Sequence, residues 1–325
     1  MVSPWVAVLT SFHNTPIFGR IWVTVAAVTG YATLVVLLDR FVLPHVETVR
    51  PEFHGFLGLI LGTLLVFRTN TSYDRWWEGR KLWGQLVNDC RNLAIKVQTC
   101  VRADPEQKQR LGRWLCDFAW ALKGHLRGGV HLTDLGGFKT DTSHPQHVPA
   151  YVSARIYDQF EVWRQNDQLG GFELLFLDQH ASSLMNICGA CERIQKSPIS
   201  ISYRWFIRQS IAIYLLTLPW GLVETFGWWD IPATAMLGYF MIGVEIIAEE
   251  IEDPFGTSAD DLRLEDMCQT IERSVMSILR EEKLAPEMLP PPRPDVSQWE
   301  HVDSANMPGA LPGDGDVSAP RPAGN

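Results

Sequence analysis

The chain has 325 residues, 37 of them acidic and 28 basic, for a formal net charge of −9. That balance excludes a nucleic-acid protein, because no domain-wide basic excess exists to neutralise phosphates. The six cysteines, Cys90, Cys100, Cys116, Cys188, Cys191 and Cys268, are too few for a secreted disulfide framework in a chain of this length.

Met1–Thr15 lacks the basic start, apolar stretch and small-residue cleavage site of a signal peptide, so any membrane segment is expected to be retained. Ile21–Leu38 is almost unbroken apolar sequence, long enough to cross a hydrocarbon core of roughly 30 Å. Three shorter apolar segments follow: Phe53–Phe67, Ile211–Val223 with Pro219 inside it, and Ala233–Ala248. On length alone these three could equally be core helices of a soluble helical scaffold. The flanking residues tilt the balance towards a membrane. Trp228 and Trp229 sit between the last two segments, where an interfacial aromatic belt is expected, and Glu224–Pro232 has no Lys or Arg. Arg68, Arg75, Arg80, Lys81, Arg91, Lys96 and Arg102 follow the second segment, which assigns that side to the cytoplasm and places both termini there.

Between the second and third segments lies a polar region with helical patterning. Arg68–Val101 has no Pro, and Trp76, Trp83, Cys90 and Val97 recur every seven residues, as on the packed face of a helix. Asp104-Pro105-Glu106 reads as a helix start with Asp104 as its cap. Gly128–Pro149 reads as a loop, and His144 and His147 within it as solvated histidines. Cys188 and Cys191 fall in a helix over Ser183–Lys196 and read as two small apolar residues on one face. From Pro286 the chain turns to Pro, Gly, Asp and Ser and is expected to be a disordered tail. The resulting organisation is residues 1–67 with two spans, 68–206 cytosolic, 207–250 with two more spans, 251–285 cytosolic, and 286–325 as tail.

Two stretches carry a family resemblance. Phe67-Arg68-Thr69-Asn70-Thr71-Ser72-Tyr73-Asp74-Arg75-Trp76-Trp77-Glu78-Gly79-Arg80 and Glu250-Ile251-Glu252-Asp253-Pro254-Phe255-Gly256 both resemble bestrophins. Arg75, Trp76, Trp77, Asp253, Pro254, Phe255 and Gly256 form the signature. Gly189-Ala190-Cys191-Glu192-Arg193-Ile194 is similar to the bacterial branch.

The resemblance implies an all-α membrane protein, a homopentamer with four transmembrane helices per chain and a cytosolic helical bundle around one central pore. It implies a passive channel for chloride or other small anions, not an enzyme, with no catalytic residues. The implied partners are its own copies, the lipid bilayer and small inorganic ions, and the implied location is the cell membrane. The family's pore neck falls on Leu59, Thr63 and Phe67, and a second, cytosolic constriction matches Ile199, Ile201 and Ser202.

The neck residues are spaced i, i+4, i+8 and so share one helix face. Apolar rings of this kind can gate by dewetting, and the positive edge of the Phe67 ring can face an anion. Thr63 departs from the family, whose matching residue is larger and apolar; a hydroxyl there is expected to ease wetting and give a leakier neck. Gly55, Gly58 and Gly62 lie elsewhere on the helix and would let neighbours approach closely.

In animal bestrophins an acidic clasp binds calcium. Its two aspartates match Ser258 and Asp261 here, and Asp261 alone is a weak remnant of a metal site, so no cofactor is expected and the reading goes against calcium. Instead Asp253 is read as capping a turn at Pro254, with Gly256 at positive φ.

Glu245, Glu249 and Glu252 lie near one face and could hold cations or pair with arginines of Arg68–Arg80. The first option leans towards a sodium- or potassium-selective channel of the same fold. A membrane-bound carboxylate metalloenzyme would need Glu-x-x-His pairs in a bundle, and the only histidine after Glu245 is His301.

Overall fold

The computed structural model describes residues 16–42 and 50–280. Eight α-helices cover these residues: α1 (Pro16–Phe41), α2 (Pro51–Cys100), α3 (Pro105–Leu126), α4 (Val148–Gln165), α5 (Gly171–Lys196), α6 (Ile201–Phe226), α7 (Asp230–Glu250) and α8 (Leu264–Arg280). No strand occurs among them. The sequence segment 1–15 and the expected disordered tail over 286–325 lie outside the described residues.

The second apolar segment and the polar stretch after it are one object. Helix α2 runs 50 residues without interruption, starting on Pro51 in the first turn, where a missing N–H costs nothing. Its surroundings change midway. Leu61 and Leu65 pack with Ile207, Ile211, Tyr214, Leu215 and Leu218 of α6 and Met241 of α7 in an apolar cluster. From Trp83 onward α2 enters a second, larger core with α3, α4, α5 and α8, built on Trp83, Leu86, Leu93, Phe118, Leu122, Phe160 and Trp163. Between Leu65 and Trp83 its buried positions are Arg68, Ser72 and Gly79. A layer of Arg68, Ser72 and Gly79 thus separates the two cores along α2.

Among the described residues three stretches are long and apolar enough to cross a membrane: Phe18–Phe41, the apolar part of α2, and Ile201–Glu250. The last contains two helices, α6 and α7, divided by a 3₁₀ turn over Gly227–Trp229. Gly227 sits at φ +54°, a left-handed conformation that a side chain would strain. Trp228 and Trp229 are exposed at this turn. Gly58 lets α2 meet α6: a Cβ there would lie 3.1 Å from the Tyr214 hydroxyl, whereas Gly55 and Gly62 face open space.

Several local expectations change. Asp104 occupies the N-cap of α3, yet its side chain makes no capping hydrogen bond. Gly256 is not at positive φ; a Cβ there would lie 2.5 Å from Asp261 Oδ2, so close approach explains the glycine. His147 is not a solvated loop residue. Its Nδ1 caps α4 by accepting from the Ala150 N–H at 3.1 Å, and its Nε2 lies 2.8 Å from Glu192, a carboxylate 45 positions away in sequence. Cys188 and Cys191 are buried free thiols on α5, as read.

Candidate functional site: the exposed face of α2 and its ionic support

Leu59 and Phe67 are 71% and 60% exposed in the chain, and Thr63 between them is exposed as well. Large apolar side chains on the outside of a long helix need another partner, whether lipid, a second chain or a pore. The same face continues past the apolar segment to exposed Tyr73 and Trp77, whose rings stack with centroids 6.5 Å apart. The Thr63 hydroxyl donates to the Leu59 carbonyl at 2.9 Å, so it offers outward only its acceptor lone pairs.

Directly beneath Phe67, Arg68 is fully buried. Its Nη2 donates to Glu252 Oε2 at 2.7 Å, its Nη1 to Ser72 Oγ at 2.7 Å, and its Nε is 3.7 Å from Glu245 Oε2, an ion pair without a hydrogen bond. Glu252 follows the end of α7 and spends its other oxygen on the backbone N–H of Ile199, at 3.0 Å. Arg75, two turns on, grips the same region from backbone carbonyls: Glu252 at 3.0 Å, Ile194 at 2.7 Å and Ser197 at 2.5 Å. The α5–α6 connection is therefore tied to α2 through two arginines and one glutamate. Ile201 and Ser202 stand exposed in the first turn of α6, while Ile199 is half-buried at the tie.

The remaining signature residues are structural partners of the same assembly. Pro254 and Phe255 seat against Gly79, where a Cβ would come within 3.2 Å and 3.1 Å of them. Trp76 Nε1 donates to the Asp260 carbonyl at 3.1 Å, and Arg127 Nε to that of Phe255 at 3.2 Å. Trp77 is exposed. Asp253 Oδ1 accepts from the Phe255 N–H at 3.4 Å, which is the turn cap expected of it. Asp261 turns one oxygen inward to the Ser258 N–H, and burial pushes its carboxyl above the usual range.

The acidic run at the end of α7 is occupied. Glu245 accepts from Arg208 Nε at 3.1 Å, Glu249 meets Arg208 at 2.6 Å and Arg20 at 3.2 Å, and Glu250 meets Arg20 at 3.1 Å. Pairing with an arginine of Arg68–Arg80 was readable from the motif and falls on Arg68, while Arg75 bonds backbone carbonyls instead; Arg20 and Arg208, on α1 and α6, were not readable. Sequence reading also missed Glu192 as a hub. Burial raises its carboxyl, but hydrogen bonds from His147, Lys196 and His125 outweigh this and hold it at about 2.

Residues 2–277 match the family described as Bacterial/Fungal Bestrophin protein. The chain belongs to the bestrophin family. This bestrophin is 32% identical over 272 residues to a voltage-dependent anion channel-forming protein of Nostoc sp., covering 80% of this chain and 87% of the relative. It is 33% identical over 264 residues to a protein of the same description from Mesorhizobium japonicum, covering 80% and 84%. In fold it resembles a bacterial bestrophin homolog from Klebsiella pneumoniae, solved as a variant, with TM-score 0.76 at 23% identity, covering 81% of this chain and all of that one.

Proposed function

We propose that this bestrophin is a passive channel for small anions, chloride foremost, that works as a homopentamer in the cell membrane with both termini in the cytoplasm. Four spans per chain come from α1, the apolar part of α2, α6 and α7. The exposed face of α2 lines a single axial pore, with Leu59, Thr63 and Phe67 as stacked rings of a neck. Ile199, Ile201 and Ser202 form a second constriction nearer the cytosol. No chemical step and no cofactor is needed for this function.

One observation carries the reading: an unbroken helix leaves Leu59, Thr63 and Phe67 exposed at i, i+4 and i+8, two of them large and apolar, directly above a buried ionic layer. Lipid would accept these residues too. A lipid-facing helix, however, gives no reason for Tyr73 and Trp77 to continue the same exposed face beyond the apolar segment. The descriptions of the Nostoc and Mesorhizobium relatives as anion channel-forming proteins support the same choice. The cation-selective alternative loses its main support, because Glu245, Glu249, Glu250 and Glu252 are engaged by Arg20, Arg68 and Arg208.

The test is a planar-bilayer recording of purified protein in asymmetric NaCl. A reversal potential near the chloride equilibrium potential is expected, and one near the sodium potential overturns anion selectivity. Crosslinking in detergent should give a ladder ending at five chains.

A further inference from the structure

His125 in the last turn of α3, His147 at the N-cap of α4 and Glu192 on α5 converge on one point in the cytosolic bundle. His125 Nε2 lies 2.7 Å and His147 Nε2 2.8 Å from the same oxygen, Glu192 Oε1. The imidazole centroids are 4.6 Å apart. Among the described residues this is the one place where three His, Cys, Asp or Glu side chains bring ligand atoms within 4.8 Å of one another. We propose that His125, His147 and Glu192 bind a divalent cation of the zinc class, with the fourth position open to water.

The donor chemistry selects the ion. Two imidazole nitrogens and one carboxylate oxygen suit zinc and its neighbours, whereas calcium and magnesium take oxygen-rich sets. Ligands at about 2.0–2.1 Å from zinc in a tetrahedron stand about 3.3 Å apart. The observed separations are some half an ångström shorter, as expected where protons hold the ligands together in place of an ion. Access is available, because the three side chains are 24%, 35% and 19% exposed. Lys196 Nζ, 3.1 Å from Glu192 Oε2, leaves Oε1 free to ligate, and its own side chain is mostly exposed and able to swing away.

Each imidazole must present a bare Nε2. His147 Nδ1 accepts from the Ala150 N–H, so its proton resides on Nε2. Binding shifts that proton to Nδ1 through solvent, and there it opposes the Ala150 N–H. The ion therefore gains His147 as a ligand and weakens the cap of α4, one hydrogen bond against a metal–nitrogen bond. Glu192 lies half a turn before Ile194, whose carbonyl Arg75 holds. An ion here ties three helices together just ahead of Ser197–Ser202.

The test reads metal alone and does not depend on ion conduction. Purified, tag-free protein is titrated with Co²⁺ followed by its visible absorption, and with Zn²⁺ by calorimetry. One equivalent per chain with the intense band of tetrahedral cobalt is expected. Two variants keep the fold: His147→Asn, because Asn caps helices as well as any residue, and His125→Gln, which retains a donor for Glu192. Both should bind at least about tenfold more weakly with an unchanged circular dichroism spectrum, while Lys196→Gln should bind no more weakly than the parent. No saturable binding by the parent, or full binding retained by either histidine variant, overturns the site.

Discussion

Arg68 Nη2 and Glu252 Oε2 stand 2.7 Å apart, both side chains buried, and the same glutamate holds the Ile199 N–H with its other oxygen. One carboxylate therefore joins the helix that carries Phe67 to the start of the α5–α6 connection. A buried ion pair of this kind adds little stability over an apolar replacement, but breaking it by removing one partner leaves an uncompensated charge.

Glu252→Gln should accordingly lower unfolding stability by on the order of 3 kcal/mol, with Arg68 left to Glu245 at 3.7 Å. Glu250→Gln, whose partner Arg20 is largely exposed, should cost under about 1 kcal/mol. Denaturant unfolding of both in detergent checks the contrast. Equal losses would mean that burial does not govern this cluster.

Gly79→Val places a branched side chain where even a Cβ meets Phe255 at 3.1 Å and Pro254 at 3.2 Å. Overpacking costs about 1–3 kcal/mol, and the turn over residues 253–256 should be displaced from α2. Faster protease cleavage near Pro254 than in the parent is the expected sign, and an unchanged digest would contradict this packing.

Thiol reactivity should be confined to Cys100. It is half-exposed, whereas the other five cysteines are buried, and burial pushes the Cys116 and Cys268 thiols up to about 12. The thiolate is the reactive form, so these stay inert at neutral pH. Ellman titration of the folded protein should count at most one thiol per chain, and all six after denaturation.

If Thr63 lines the neck proposed above, Thr63→Phe should reduce single-channel current by placing a large apolar ring there, and Thr63→Ala separates the effect of space from that of the hydroxyl oxygen. With its proton given to Leu59, that oxygen can only accept from water. Unchanged current in both variants would remove the wetting argument. Cysteines placed at 59, 63 and 67 in a Cys100→Ser background should be modified by charged thiosulfonates added to open channels.

The helical class and the shared, exposed face of Leu59, Thr63 and Phe67 were legible because each depends on residues a few positions apart along one helix. The ionic layer was legible only in half. Arg68 and Arg75 stand in the motif beside Trp76, but their partner Glu252 is 184 positions from Arg68, and nothing local announces Arg208 or Arg20. His147 looked solvated for the same reason, since Glu192 reaches it only through folding. Gly256 misled differently: a glycine after proline suggested a torsional need, and the actual need is room for the Asp261 carboxylate.

The unbroken course of α2 also has a mechanical meaning. At about 1.5 Å per residue, roughly 26 Å of rod lies above Arg68 and roughly 48 Å below it. Pivoted at that buried arginine, a swing of about 10° would carry the Cys100 end some 8 Å and the Pro51 end about half as far. A swing so pivoted would a little less than double at the Cys100 end any displacement of the Pro51 end, and would leave Phe67, next to the pivot, almost in place.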